Sequence, residues 1–204
     1  MNSNIGNRIG QAFVLMAVLA GCSNANPPEV RLDKAALPVM RWDHRPEADA
    51  WTAATLSALK DQGSVLLGTV PTDIADFCPA YENASERDRA AFWSGLFSAL
   101  AKHESTWKPQ AAGGDGKWIG LTQIAPATAR AYGCHAQNAS KLKNGSANLS
   151  CAVRIAAAQV GRDGVLVSQN GNWRGLARDW APFRNPAKRE DMANWTRAQD
   201  YCVN

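Results

Sequence analysis

The segment from Ser85 to Pro109 constrains the fold more than any other part of this chain. Ser85-Glu86-Arg87-Asp88 has the form of a capping box, with Ser85 as N-cap and an acidic residue three positions on. Beyond it, Phe92, Leu96, Ala99 and His103 fall on one helical stripe, and Trp93, Phe97, Leu100 and Glu104 on the next. Two adjacent apolar stripes predict a helix that packs broadly. It ends between Glu104 and Trp107, because Pro109 disfavours helical backbone just before it.

The rest of the chain agrees with a mainly α fold. Pro46 to Gln62 carries acidic Glu47 and Asp49 early, then Trp51, Leu56 and Leu59 near helical spacing. Gly63 to Tyr81 reads as loop with helical pieces around Ile74 to Cys78, and Val65 to Val70 also fits a short strand. Gly113 to Gly116 is a loop, and Pro126 opens a short helix ending at Gly133. A polar link, Gln137 to Gly145, leads to an alanine-rich helix from Ala147 to Val160. Two shorter helices are expected over Trp173–Trp180 and Ala187–Asp200. Convincing strand alternation is almost absent. Hydrophobic residues make up 46% of the 204 and charged residues 20%, which is globular composition. The net charge of +4 is mild and no run of five Lys/Arg occurs, so a nucleic-acid partner is not expected.

Five cysteines is an odd number, and the N-terminus accounts for one. Ala12 to Ala20 is an uninterrupted apolar run, far short of the roughly 20 residues a bilayer span needs. It fits a secretory h-region of about 7 to 15 residues. Leu19-Ala20-Gly21-Cys22 follows directly and resembles a bacterial lipobox, which implies cleavage before Cys22 and a diacylglycerol on its thiol. The other reading is an ordinary signal peptide cleaved nearby. Cys78, Cys134, Cys151 and Cys202 remain, an even set that suggests two disulfides with three possible connectivities. Cys134 with Cys151 is favoured, since a helix end and the next helix bracket a short polar link; Cys78 is then left with Cys202. No close CxxC pair occurs and His44, His103 and His135 are scattered, so no metal is expected.

Glu104 is the residue with chemical potential. It lies on an apolar stripe at a helix C-terminus, and burial and the negative dipole end both favour its neutral form. A carboxylic acid still protonated near neutral pH is what cleavage of a glycosidic bond needs. On periodicity alone, a glutamate at a helix end is more often a solvated residue.

Its context is more specific. Glu104-Ser105-x-Trp107-x-Pro109-x-Ala111, followed by Gly120-Leu121-Thr122-Gln123-Ile124-x-Pro126-x-Thr128-Ala129, resembles the soluble lytic transglycosylase (SLT) domain, whose pattern is ES-x-x-x-P-x-A and then GLMQ-I-x-P-x-TA. Asn148-Leu149-x-Cys151-Ala152-Val153 resembles the helix after the family's linker. The resemblance covers roughly residues 86 to 184. It implies a lysozyme-like helical fold acting on peptidoglycan glycan strands, with Glu104 as catalytic acid and then base, and no cofactor; with the lipobox, the chain reads as a lipoprotein of this kind. The expected product is a 1,6-anhydro-muramyl end. Ser105 and Gln123 match family site positions. Trp107, Trp118 and Trp180 are candidate sugar-stacking surfaces, although most of the eight tryptophans are expected in the core.

Two departures from the family pattern stand out. Thr122 replaces the methionine of GLMQ, and the AYNxG segment, whose tyrosine lines the family's site, is missing. Trp180 is the candidate for that tyrosine's role. Asp115 would be the second carboxylate if the enzyme were a hydrolytic muramidase; a catalytically inactive peptidoglycan-binding lipoprotein is the other alternative. The expected organisation is a leader over 1–21, a tether over 22–45, and one domain over 46–204. Within that domain 46–84 is a helical extension and 85–184 the SLT-like core. Ser23 after Cys22 points to the periplasmic side of the outer membrane, and a monomer is expected.

Overall fold

The helix predicted after Ser85 runs Glu86–Ser105 and forms the centre of the molecule. The structure is a computed structural model that describes residue 1 and residues 37–203. The leader, the lipobox with Cys22 and most of the expected tether lie outside the described residues. From Leu37 onward the chain forms one unit.

The helices are α1 (Ala48–Lys60), α2 (Ser64–Gly68), α3 (Glu86–Ser105), α4 (Pro126–Ala131), α5 (Ala139–Leu142), α6 (Gly145–Asp163) and α7 (Pro186–Arg197). Ser85 caps α3 by accepting from the Asp88 N–H at 3.1 Å. Both predicted stripes of α3 are buried through Leu100 and Ala101, because α1, α2 and α7 all pack against it. α6 lies chiefly against α1. Tyr81 bonds into this core through Leu66 O and the Trp93 indole, both at 2.8 Å, and burial pushes its hydroxyl up to about 12.

Several boundaries differ from expectation. Val65 to Gly68 is helix, not strand, because neighbouring Leu66 and Leu67 are both buried, which alternation forbids. The expected tether over 22–45 is too long. Met40 and Trp42 are buried, the Trp42 indole donates to Thr52 Oγ1 at 2.9 Å, and Arg41 pairs with Asp191, so the fold begins well before residue 46. Trp173–Trp180 is not a helix. It contains a 3-10 turn, Gly175–Arg178, preceded by a hairpin of β3 (Ser168–Gln169) and β4 (Asn172–Trp173). Asn170 and Gly171 both have positive φ, the requirement of a tight hairpin turn that an Asn-Gly pair satisfies. A matching hairpin, β1 (Ala112–Gly113) with β2 (Trp118–Ile119), frames the expected Gly113–Gly116 loop.

Two disulfides join Cys78 to Cys202 and Cys134 to Cys151. The first ties the segment before α3 to the C-terminus; the second links the end of α4 to α6. Among the described residues no helix is long and apolar enough to cross a membrane.

Candidate active site

α3 stops abruptly after Glu104 and Ser105. Thr106 and Trp107 both take left-handed backbone, φ 51° and 53°, a conformation that costs non-glycine residues on the order of 1 kcal/mol each. The turn leaves Glu104 on the last turn of a buried helix, at the dipole's negative end. No group among the described residues hydrogen-bonds its carboxylate. Burial pushes the carboxyl up to about 7, against the pull of the Lys188 and Arg184 cations. Arg184 stands on the 3-10 turn Ala181–Arg184, and Lys188 on the first turn of α7.

The Ser105 hydroxyl does not bond the Glu104 carboxyl. That hydroxyl is buried and bonds to Ala101 O at 3.2 Å and Leu121 O at 2.9 Å, joining the helix end to the Gly120–Gln123 loop. Asn148 of α6 fixes that loop from behind. Its Oδ1 accepts from the Thr122 N–H at 3.0 Å and hydroxyl at 2.7 Å, and its Nδ2 donates to Ile119 O and Leu142 O. All four hydrogen-bonding positions of the amide are thus used. Thr122 stands in place of the family's methionine and binds Asn148 instead of only filling space. Gly120 is required here: its φ is +81°, and a Cβ would lie 2.3 Å from Leu142 O.

Gln123 is half-buried with φ 49°. Its Nε2 donates to Gly120 O at 2.9 Å and Ala111 O at 3.4 Å, which leaves Oε1 to accept from a ligand. Trp118 is 50% exposed beside it, with its ring over Gly114. Trp107 is half-buried and anchored by its indole to Ser98 O at 2.8 Å.

Trp180 is not a stacking surface. It is only 3% exposed, its indole donates to Thr122 O at 2.9 Å, and Phe97 packs edge-on against it. It supports the motif loop from below, which a buried indole with one donor to satisfy does well. Asp115 is exposed in the β1–β2 turn, with φ 55°.

Sequence reasoning missed a polar cluster near Trp118. The Tyr132 hydroxyl donates to Asp179 Oδ2 at 3.4 Å, and Gln159 Nε2 reaches both. Asp179, Trp118 and Gln123 line one small cavity of about 50 Å³. Only their juxtaposition in the fold reveals it. Arg178 is held by Asp163, while Arg184 stands near Glu104. A separate cavity of about 760 Å³ lies between α1, α3 and the C-terminal segment and includes none of the motif residues. Among the described residues no cluster of His, Cys, Asp and Glu could hold a metal ion.

This arrangement, a near-neutral carboxyl on a buried helix end facing a braced loop, is that of a lysozyme-like domain. Residues 82–164 match the family model described as the transglycosylase SLT domain. Solved structures of Bd0314 DslA are similar across most of the chain. A glutamate-to-glutamine mutant is 29% identical with a TM-score of 0.75, and the wild type is 29% identical with a TM-score of 0.74. In each case the match covers 81% of this chain and 98% of the DslA chain. Comparison with curated proteins finds no match. Residues 82–164 therefore form an SLT-type domain within a lysozyme-like fold.

Proposed function

We propose that this protein is a peptidoglycan lytic transglycosylase with Glu104 as its catalytic residue. The observation that carries the reading is the Glu104 carboxyl, held up to about 7 by burial, with no hydrogen-bond partner among the described residues. Protonated, Glu104 donates to the glycosidic oxygen between N-acetylmuramic acid and N-acetylglucosamine. Left ionised, it takes the proton from the muramyl C6 hydroxyl, whose oxygen closes on C1. One residue serves both steps because its carboxylate stays on the same face. The nucleophile is already part of the substrate, at high effective concentration, so no second carboxylate is needed. In this reading Gln123 Oε1 accepts from an acetamido N–H group and the exposed Trp118 stacks on a sugar ring; the free Oε1 and the exposure of Trp118 support it. The lipobox-like Leu19–Cys22, Ser23 and the two disulfides support lipid anchoring on the periplasmic side of the outer membrane.

The test is mass spectrometry of sacculi digested with the mature protein. Anhydro-muramyl ends are expected, and Glu104→Gln should abolish them. Activity retained in that variant overturns the assignment.

One observation favours a hydrolytic second reading. A second DslA mutant, 28% identical with a TM-score of 0.74, replaces a glutamate eleven positions from that of the first, the spacing of Glu104 and Asp115 here. Reducing-end products lost in Asp115→Asn would identify a muramidase in which Asp115 positions water. Sacculus binding without any product would identify a binding protein.

A further inference from the structure

α7 has two flanks with different partners. Lys188 and Asp191 face the end of α3: Asp191 takes Arg41 at 2.7 Å, Lys102 at 3.1 Å and His103 at 2.7 Å, and Lys188 stands near Glu104. Glu190 and Ala193 each follow these by two positions, about 200° round the helix, and so lie on the opposite flank. That flank walls a separate cavity of about 440 Å³, closed by the Asp73–Phe77 segment and the β3–β4 hairpin. The volume lies within the roughly 300–1,000 Å³ of small-molecule sites.

Trp173 of β4 borders this cavity. It is 43% exposed, and the Arg189 guanidinium lies 5.7 Å from its ring centroid. Phe77, which also lines the cavity, packs against Phe183 with ring centroids 6.3 Å apart. The Asn170-Gly171 turn sets the hairpin, and the Asp73 carboxylate accepts the backbone N–H groups of Leu166, Val167 and Ser168 at its base. The result is an aromatic platform rimmed by Arg189, Arg197, Glu190 and Asp76. An exposed indole face receives the C–H face of a pyranose. On the rim Arg197 pairs with Glu190 at 2.7 Å and Arg189 donates to Phe183 O at 3.0 Å, and the Asp76 carboxylate with the remaining guanidinium N–H groups matches the sugar's hydroxyl and acetamido groups.

We propose that the Trp173 cavity is a second, non-catalytic site for an N-acetylated glycan strand, on the far flank of α7 from Glu104. The choice of glycan rests on the peptidoglycan reading above. A strand held there keeps the enzyme on the wall while another occupies the catalytic cleft.

The experiment uses the mature chain carrying Glu104→Gln, so that bound sacculi are not digested. Adding Trp173→Ala is expected to weaken co-sedimentation with purified sacculi about fivefold, the loss of one aromatic contact. Trp173→Phe, which keeps a ring, should stay close to the parent. In ¹⁵N-labelled protein, a tetramer of N-acetylglucosamine should shift the Trp173 indole resonance saturably. Equal sacculus affinity in parent and Trp173→Ala, or a Trp173 resonance that the tetramer does not move, overturns the proposal. Neither readout needs turnover, so failure of the catalytic reading shows separately in the product analysis.

Discussion

Replacing Glu104 with glutamine should stabilise the protein, and only at the pH where Glu104 is ionised. The fold raises this carboxyl from 4.5 to about 7. Native protein therefore holds the proton more tightly than unfolded chain, and stability falls as pH rises from about 4.5 to about 7, then levels off. At about 1.36 kcal/mol per unit, the full effect is about 3 kcal/mol. Glu104 is half-buried, and solvent screening brings this nearer 1–2 kcal/mol. Glutamine cannot ionise, so it escapes the penalty.

The assay is urea unfolding followed by circular dichroism, disulfides intact, for both proteins from pH 4 to pH 8. The variant should gain about 1–2 kcal/mol over wild type across that range, beyond any constant offset from the change of side chain. Every other titrating group is common to both proteins and cancels in the difference. A difference that does not vary with pH would show that the carboxyl is not destabilised in the fold, and the acid–base reading would lose its foundation.

Activity should follow the same group. The alkaline limb of the pH–rate profile is expected near pH 7, and Lys188→Ala should move it upward, since Lys188 pulls the Glu104 pKa down; an unmoved limb would mean another group controls it. Asn148→Ala leaves the Thr122 N–H and the Ile119 and Leu142 carbonyls without their partner, and should cost about 2–4 kcal/mol in urea unfolding. A loss under about 0.5 kcal/mol would mean water replaces the amide. Removing Cys78–Cys202, with a sequence separation of 124, should cost about 5 kcal/mol, and removing Cys134–Cys151, with a separation of 17, about 3 kcal/mol. The reverse order in paired Cys→Ala variants would show that the cross-links act mainly on the native state.

Where one helix settled its own environment, the sequence was readable. α3 announces itself by a capping box and two apolar stripes, and its N-cap and both stripes are where the pattern puts them. The β3–β4 hairpin was carried by a short local signal, Asn170-Gly171, in a stretch whose strands are two residues each, too short for alternation to register. Trp180 shows a different limit. Proximity to the motif in sequence says nothing of which way an indole faces, and only packing against Phe97 and Thr122 puts it inside. Arg41 and Trp42 look like linker because nothing local marks them; Asp191, 150 positions away, gives Arg41 its place. Lys188 and Arg184 carry no motif at all, and their relevance depends on the approach of α7 to the end of α3.

The most legible part of the fold, α3, also carries the residue of the site that the sequence singles out for chemistry. A helix buried on two stripes brings its last turn out of solvent along with its middle. Placing a glutamate on that turn raises its pKa by desolvation, with no partner residue required. The stripe that makes α3 the centre of the core therefore also makes Glu104 a competent acid. The remaining elements have different work. Asn148, Ser105 and Trp180 hold the facing loop through bonds to backbone groups, a role for which many sequences suffice. On this argument, substitutions that loosen the packing of Phe97 or Leu100 should lower the Glu104 pKa before they unfold the protein, because water reaches the carboxyl first.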